Sequence, residues 1–492
     1  MKRDPIPFRN ALAPSVPSLA GGSPSAMNVI SLGNGSLVRR PGIQVYAGAP
    51  STAITGDAIL NVHEALNGAL YAVVDGSPLR HAYRVTPTGS TQVASKDWSD
   101  GIPGTKRPVL AETEMIIAIA CGDQMRAILL PTDEQIFLSP QAPKASHVVA
   151  NHLRLLANDV EVDRSAVRYS DVAIGDTWPL WGGLSGHTVW TYGGIGTSGY
   201  FTNNSRPDPV VAIYDTLGEI WVFGSTTTEV RAPNVEDVGG YGIEVWSPVG
   251  NLETGCCAPY SPIRHRELFF WLDHRRRFVV GDGSSVKDIG NLEIQKELDG
   301  LSTVDDCWGF VFQEANVVCL VWVFPTDGVA YCYQEGAGWC RWAGWDKNWT
   351  PLMVSAHHQR FSGAENIVGT LDGRVAKMTL NAQDDLGGTI RAYVETGFQN
   401  HGTPSRKHCD SVDFQLKRGA QNSSGPQAFF GWRDQEGPWQ CRIPINLGEG
   451  GNTYPVVSFY SLGEYRTRDW FFEFSGAERL ELLGATETYT ED

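Results

Sequence analysis

The sequence is short of charge, of long apolar runs and of helix-forming stretches. Only 19% of its 492 residues are Asp, Glu, Lys or Arg, and 39 basic residues stand against 55 acidic ones, giving a net charge of −16. That balance argues against a grip on nucleic acid, which needs clustered Lys and Arg to displace counterions from phosphates. It suits a soluble surface, or a channel along which DNA slides without sticking. No run of 18 apolar residues occurs, so no segment reads as a membrane-spanning helix. The start, Met1-Lys-Arg-Asp-Pro-Ile-Pro-Phe8, has basic residues but no apolar core of a secretion signal. Nine cysteines do not make a disulfide scaffold in a chain this long; Cys256 and Cys257 are adjacent and no Cys-x-x-Cys occurs. They read as reduced, mostly buried thiols of a protein made in a reducing cytoplasm.

Catalytic signatures are missing too. There is no Gly-x-x-x-x-Gly-Lys-Ser/Thr, His-Glu-x-x-His, Gly-x-Ser-x-Gly or EF-hand loop. Gly194-Ile-Gly-Thr-Ser-Gly199 fits the dinucleotide pattern, but Tyr200-Phe-Thr-Asn-Asn-Ser-Arg-Pro207 follows and cannot start the packed helix that pattern needs. His357-His358 and His408-Cys409 are the tight clusters with ligand chemistry. Neighbours in a strand point to opposite faces, so neither pair readily chelates one ion. Asp159, Asp163, Asp171 and Asp215 sit near strand ends, where the paired carboxylates of a glycan-cleaving propeller would lie; turn formation explains them better. The expectation is no enzyme, no metal and no cofactor.

What the chain does have is turns and strands: 54 Gly, 28 Pro and 16 Trp. Residues 208–281 show the grammar. Pro209-Val-Val-Ala-Ile-Tyr-Asp-Thr-Leu-Gly-Glu-Ile-Trp-Val-Phe-Gly224 is two apolar strands about a Leu-Gly turn, and a Thr/Val strand follows. Similar units begin every 40 to 60 residues, at 58–93, 109–138, 148–172, 209–230, 267–289, 307–342 and 353–380. None could bury its apolar face alone. The expected fold is all-β: a β-propeller-like ring of about six or seven blades over residues 42–384, closed by pairing the first strand with the last blade. Two inserted loops interrupt it, 182–207 and 288–306, the second holding a helical fragment at Leu292–Leu298. Residues 1–41, rich in Pro, Ser, Gly and Ala, read as an extended N-terminal arm. Residues 385–492 alternate apolar and polar and read as a C-terminal β-sandwich-like domain. Its last 50 residues carry nine Asp or Glu against three Arg, which reads as a solvated acidic face. The concentrated positive patch is the tip His274-Arg275-Arg276-Arg277, with Arg264-His-Arg266 upstream. It is either a charged turn keeping an apolar hairpin soluble or a contact with DNA or an acidic partner.

Several stretches, in this order, resemble the tail-hub or nozzle proteins of short-tailed phages, the packaged-DNA stabilisation proteins among them. They are Leu37-Val-Arg39-Arg40-Pro41-Gly42, Ala69-Leu-Tyr-Ala-Val-Val-Asp-Gly76, Asn151-His-Leu-Arg-Leu-Leu156, the turn Tyr169-Ser170-Asp171-Val-Ala-Ile-Gly-Asp-Thr-Trp178, Val210–Glu229 and Ala258–Gly281. The resemblance implies a structural virion subunit, made in the host cytoplasm and carried in the tail. Six copies would form a ring that docks on the portal adaptor, retains packaged double-stranded DNA, conducts it during ejection and anchors fibres, spikes or a needle. It brings no catalytic residues. The alternatives are a glycan-cleaving propeller enzyme, such as a depolymerase of host polysaccharide, and a glycan-binding propeller.

Overall fold

The computed structural model describes the chain apart from residues 9–25, 47–53, 55, 77–78, 87–88, 96–100, 115, 131, 139–141, 153, 171–198, 203–207, 217, 239–240, 361–364, 420–426, 436, 448–452 and 477. Seven four-stranded antiparallel units succeed one another, three of them within larger sheets, and we label the strands of each a to d from the inside outward. Blade 1 is Ile59–Glu64, Leu70–Val74, His81–Thr86 and Gly89–Gln92; blade 2 is Val109–Glu112, Ile116–Ala120, Arg126–Leu129 and Glu134–Phe137. Blade 3 is Val148–Asn151, Arg154–Asn158, Ala166–Tyr169 and Gly199–Thr202; blade 4 is Val210–Thr216, Glu219–Gly224, Thr228–Val238 and Tyr241–Leu252. Blade 5 is Ile263–His265, Leu268–Leu272, Phe278–Gly281 and Val286–Asp288; blade 6 is Trp308–Glu314, Val317–Phe324, Val329–Gln334 and Gly338–Trp342. Blade 7 takes Val354–Gln359, Asn366–Thr370 and Val375–Thr379 from late in the chain, and its outermost strand, Gly42–Val45, from the beginning. That pairing, Ile43 opposite Met378, closes the ring as the sequence led us to expect and covers a sheet edge that would otherwise stay open.

Apolar contacts between blades follow from alternation along the strands. Trp221 and Phe223 of blade 4 meet Phe269 and Trp271 of blade 5, with ring centroids 4.7–6.2 Å apart. Between blades 5 and 6, Phe278 lies 4.6 Å from both Trp322 and Trp339. The helix Leu292–Asp299, within the expected insertion 288–306, drops Ile294 and Leu298 into the same cluster. Its first turn is fixed by Asn291, whose side chain accepts the Ile294 amide at 2.9 Å. Where blade 7 meets blade 1, Gly369 is required: a Cβ there would sit 2.5 Å from Ile59 Cγ2.

Beyond blade 7, two sheets face each other across one core. One contains Val29–Ser31, Leu37–Arg39, Leu480–Glu491, Lys407–Arg418 and Val456–Tyr460; the other contains Ala392–Glu395, Arg468–Ser475, Gln427–Asp434 and Ile443–Pro444. Phe414, Phe430 and Phe472 fill the space between them. Two expectations need correction here. Much of the supposed arm is strand: Lys2–Pro5 pairs with the last strand of the chain, Val29–Ser31 and Leu37–Arg39 extend the same sheet, and Ala26–Met27 joins the outer strand of blade 6 to Ala392–Glu395. Residues 9–25 lie outside the described part. The long-range partners of these short strands explain why local composition did not reveal them. The acidic C-terminal end is also not a solvated face, since Asp469, Glu473, Glu478, Glu481 and Glu487 are buried. Basic partners from other strands pair with four of them, for example Arg433 with Asp469 at 2.7 Å and Arg391 with Glu473 at 2.7 Å.

The 182–207 insertion is shorter than it looked from the sequence, because Gly199–Thr202 is the outer strand of blade 3, pairing with Ala166–Tyr169. The rest of the insertion lies outside the described residues.

Candidate functional site

The inner strands surround the axis of the ring, and side chains from blades that are not neighbours meet across it. Arg107 lies just before blade 2, yet its guanidinium covers Trp308 of blade 6 at 4.1 Å and donates to the Ser355 carbonyl of blade 7 at 2.6 Å. Blades 2 and 6 are not neighbours, so this contact crosses the ring. Beside it His147 stacks on Tyr260 at 4.9 Å, approaches Tyr214 at 6.1 Å and has its Nε2 3.0 Å from the Pro259 carbonyl. Burial drives the charged forms down: Arg107 falls to about 10 and His147 to about 4. No local pattern marks this plug, because Arg107 and His147 lie in connections between blades rather than in any motif.

Around the rest of the axis the inner strands carry no lysine and one arginine, Arg264. Where blades 7, 1 and 2 meet, polar groups interlock. His63 Nε2 lies 2.7 Å from Glu112 Oε2, and Glu112 Oε1 accepts the Leu66 amide at 2.8 Å. Arg360 donates to Glu64 at 2.8 Å and to the Tyr46 hydroxyl at 2.7 Å, and also pairs with Glu365. The adjacent histidines part company here. His357 stacks on Phe310 and its Nε2 lies 3.1 Å from Asn366 Oδ1, whereas His358 meets His63 edge to face at 5.5 Å. Burial lowers both to about 4, helped for His358 by the neighbouring His63.

The basic tips separate. Adjacent strands of a blade run antiparallel, so a–b and b–c connections lie on opposite faces of the ring. Arg264 and Arg266 belong to the a–b end of blade 5; Arg275, Arg276 and Arg277 belong to its b–c end, across the five-residue strand Leu268–Leu272, about 17 Å long. The two groups therefore do not form one patch. Arg264 and Arg266 are exposed, and Arg264 reaches the Asp215 carbonyl at 3.4 Å. With His265, Arg266 borders a cleft of about 470 Å³ between blades 5 and 6, whose far wall is the turn around Leu32 and Gly35. At the other end, buried Asp273 builds the turn. Its Oδ1 accepts the Arg275 and Arg277 amides, both at 2.8 Å, and its Oδ2 holds the Arg277 guanidinium at 2.7 Å. Arg277 is thus committed to the turn, which leaves Arg275 and Arg276 pointing outward and exposed.

The turn Arg39-Arg40-Pro41-Gly42 is a weld between the two halves of the chain. Arg40, 1% exposed, binds Asp385 through both terminal nitrogens at 3.1 and 2.5 Å, and also donates to Asn28 Oδ1 and to the carbonyls of Pro41 and Ala343. Arg39 binds Gln383 at 2.7 Å and the carbonyls of Gly476 and Glu478; burial lowers its guanidinium to about 10. Gly42 has room for no side chain, because a Cβ would meet the Asp384 carbonyl at 2.4 Å. Ser170 is buried and its hydroxyl oxygen accepts the Leu155 amide at 2.9 Å, pinning the c strand of blade 3. Asp171 and Trp178 lie outside the described residues.

Three of the four singled-out aspartates are described. Asp159 accepts the amides of Glu161 and Val162 and holds Arg168 at 2.6 Å, and Asp163 accepts the Ser165 amide at 3.0 Å; both build the b–c connection of blade 3. Asp215 sits on the opposite face with Asn151 at 2.5 Å, its pKa raised by burial. Asp215 therefore stands apart from the other two. Among the described residues, no group of three or more His, Cys, Asp or Glu could hold a metal.

No protein-family model matches the chain, and no curated protein matches it. Among solved structures, it is similar to a computationally designed protein at 10% identity and a TM-score of 0.37, covering 67% of this chain and 99% of that one. It is also similar to the extracellular domain of a hybrid two component system from B. thetaiotaomicron, at 9% identity and a TM-score of 0.43, covering 86% of this chain and 47% of that one. A third is an exo-beta-1,3-galactanase from Phanerochaete chrysosporium, at 10% identity and a TM-score of 0.29, covering 91% of this chain and 100% of that one. None of these scores reaches 0.5. What the fold defines is a β-propeller, with a second β region attached.

Proposed function

We propose that this chain is a structural subunit of a short phage tail, a hub or nozzle whose copies ring the DNA path below the portal adaptor. The reading rests on the ordered resemblance given above, and one structural observation supports it most: the plug of Arg107, Trp308, His147 and Tyr260 across the propeller axis. A propeller filled in this way serves as a rigid block. Duplex DNA then runs between copies and not along the axis of one. The acidic balance suits a lumen wall that does not hold DNA by its phosphates. Propeller and sandwich share the nine-stranded sheet running from Trp308–Glu314 to Ile443–Pro444 and the Arg40 weld, so a pull on one is carried to the other through hydrogen bonds. Imaging of purified virions of the source by electron cryo-microscopy tests the proposal. A ring of this chain between the portal adaptor and the fibres is the expected result; virions without the chain would overturn it.

A further inference from the structure

One positive charge of the plug, that of Arg107, has no carboxylate partner among the described residues. Six blades bring a group to its surroundings: Arg107 before blade 2, His147 before blade 3, Tyr214 in blade 4, Tyr260 before blade 5, Trp308 in blade 6 and Ser355 in blade 7. Tyr260 and Trp308 lie side by side, joined by a parallel β-bridge, and the Gly309 amide donates to the Tyr260 carbonyl at 2.9 Å. The Arg107 guanidinium covers the Trp308 ring. It spends a donor on the Ser355 carbonyl, and the groups that act on its charge are the Tyr260 and Tyr214 phenols.

Tyr260 is the second anomaly. Its hydroxyl is buried and makes no hydrogen bond. The Arg107 amide that faces the oxygen is itself a donor, so the hydroxyl hydrogen has no acceptor. The charged side chains that act on this hydroxyl are both cationic, Arg107 and Arg80. The Cys121 thiol beside them stays neutral, because burial pushes it up to about 12. His147 does not relieve the shortage: its Nε2 donates to the Pro259 carbonyl at 3.0 Å, and its Nδ1 lies 3.1 Å from the Ser146 hydroxyl. Tyr214 turns its hydroxyl to the same Pro259 carbonyl, at 3.5 Å.

A desolvated guanidinium and a buried hydroxyl hydrogen, both short of acceptors, call for an anion. One negative charge neutralises one guanidinium, whereas a doubly charged oxyanion between aromatic walls would leave a buried charge uncompensated. Arg107 keeps part of its surface open to solvent, which gives a small ion its way in. We propose that the propeller axis binds one small monovalent anion, such as chloride, between the Arg107 guanidinium and the Tyr260 hydroxyl. The site goes beyond the structural role proposed above and does not depend on it.

Thermal unfolding of the full chain at pH 7.5, with sodium chloride replacing sodium gluconate at constant ionic strength, tests this. The midpoint should rise with chloride, as for any ligand that binds the folded state alone. Arg107→Met should abolish the rise. Because that variant strips the cation from Trp308 and could loosen the plug, Tyr260→Phe serves as the second, keeping the ring and losing the hydroxyl. With one hydrogen bond to the ion gone, it should need about tenfold more chloride for the same rise. Crystals grown with bromide in place of chloride should show an anomalous-scattering peak within hydrogen-bond reach of Arg107 and Tyr260. No rise with chloride, an unchanged response in both variants, or bromide peaks that avoid the axis would overturn the proposal.

Discussion

Two seams of the ring are built from opposite materials. Between blades 4 and 5 the contact is aromatic: Trp221, Phe223, Phe269 and Trp271, all at most 2% exposed. Where blades 7, 1 and 2 meet, Ile59, Val62 and Val375 form an apolar floor, but above it His63, Glu64, Glu112, His358 and Arg360 interlock. Both seams close the same kind of sheet on the same kind of neighbour. The difference lies in what each responds to. Apolar burial is indifferent to pH, whereas a buried histidine loses its place when it must take up a proton. The second seam is also the one where the two ends of the propeller chain come together, so the ring is most sensitive to conditions at its point of closure.

The largest effect of a single substitution should come from the aromatic seam. Trp271 is fully buried and its Nε1 donates to the Gly255 carbonyl at 3.1 Å. Trp271→Ala should cost about 3–5 kcal/mol, the range for emptying a large aromatic site. Urea unfolding at pH 7.5 and at pH 5 should give the same loss. A loss that changes with pH would break the contrast between the seams.

Next comes the wild-type response to acid. The folded values of His357 and His358, about 4, lie below the ordinary histidine value of about 6.5. A depressed folded pKa means that stability is fully present above the unfolded value and is lost as pH falls towards the folded one. Between about pH 6.5 and 4 each such histidine should remove about 1 kcal/mol per pH unit. His147 at the plug adds to the same window. His358→Gln should flatten the pH dependence by one histidine's share, while Trp271→Ala should leave it unchanged. An unaltered slope in His358→Gln would remove this seam from the account.

The contrast also explains what the sequence made legible. The aromatic seam was visible in outline, because Glu219–Gly224 and Leu268–Leu272 announce themselves as apolar strands flanked by turns. Seven repeating units, the closing strand near Ile43 and the helix at Leu292 could be read from local pattern alone. The polar seam could not. Strand alternation splits His357 from His358, but His63 and Glu112 become neighbours of His358 only through blade register, from 295 and 246 positions away. The basic tips failed in the same way: five arginines close in sequence divide between two faces once the strands alternate in direction. The early strands Val29–Ser31 and Leu37–Arg39 were hidden because their partner, Leu480–Glu491, ends the chain.

A smaller effect separates buried histidine from peripheral charge within the polar seam. Lys377 pairs with Glu365 at 2.8 Å, and Glu365 also holds Arg360; these side chains are 26–29% exposed. Their hydrogen bonds keep the Glu365 carboxyl below its usual range, with Lys377 the larger cause. A half-open pair of this kind contributes about 0.2–1 kcal/mol. Lys377→Ala should therefore cost roughly 0.5 kcal/mol at low salt, by the same measure. At 1 M salt, where the Debye length falls to about 3 Å, the cost should vanish. The acid-induced loss assigned to His358 should persist at that salt, because it comes from desolvation by packed neighbours more than from distant charge. If high salt erased the acid response together with the Lys377 effect, the seam's sensitivity would belong to its surface charges, and the buried histidines would be bystanders.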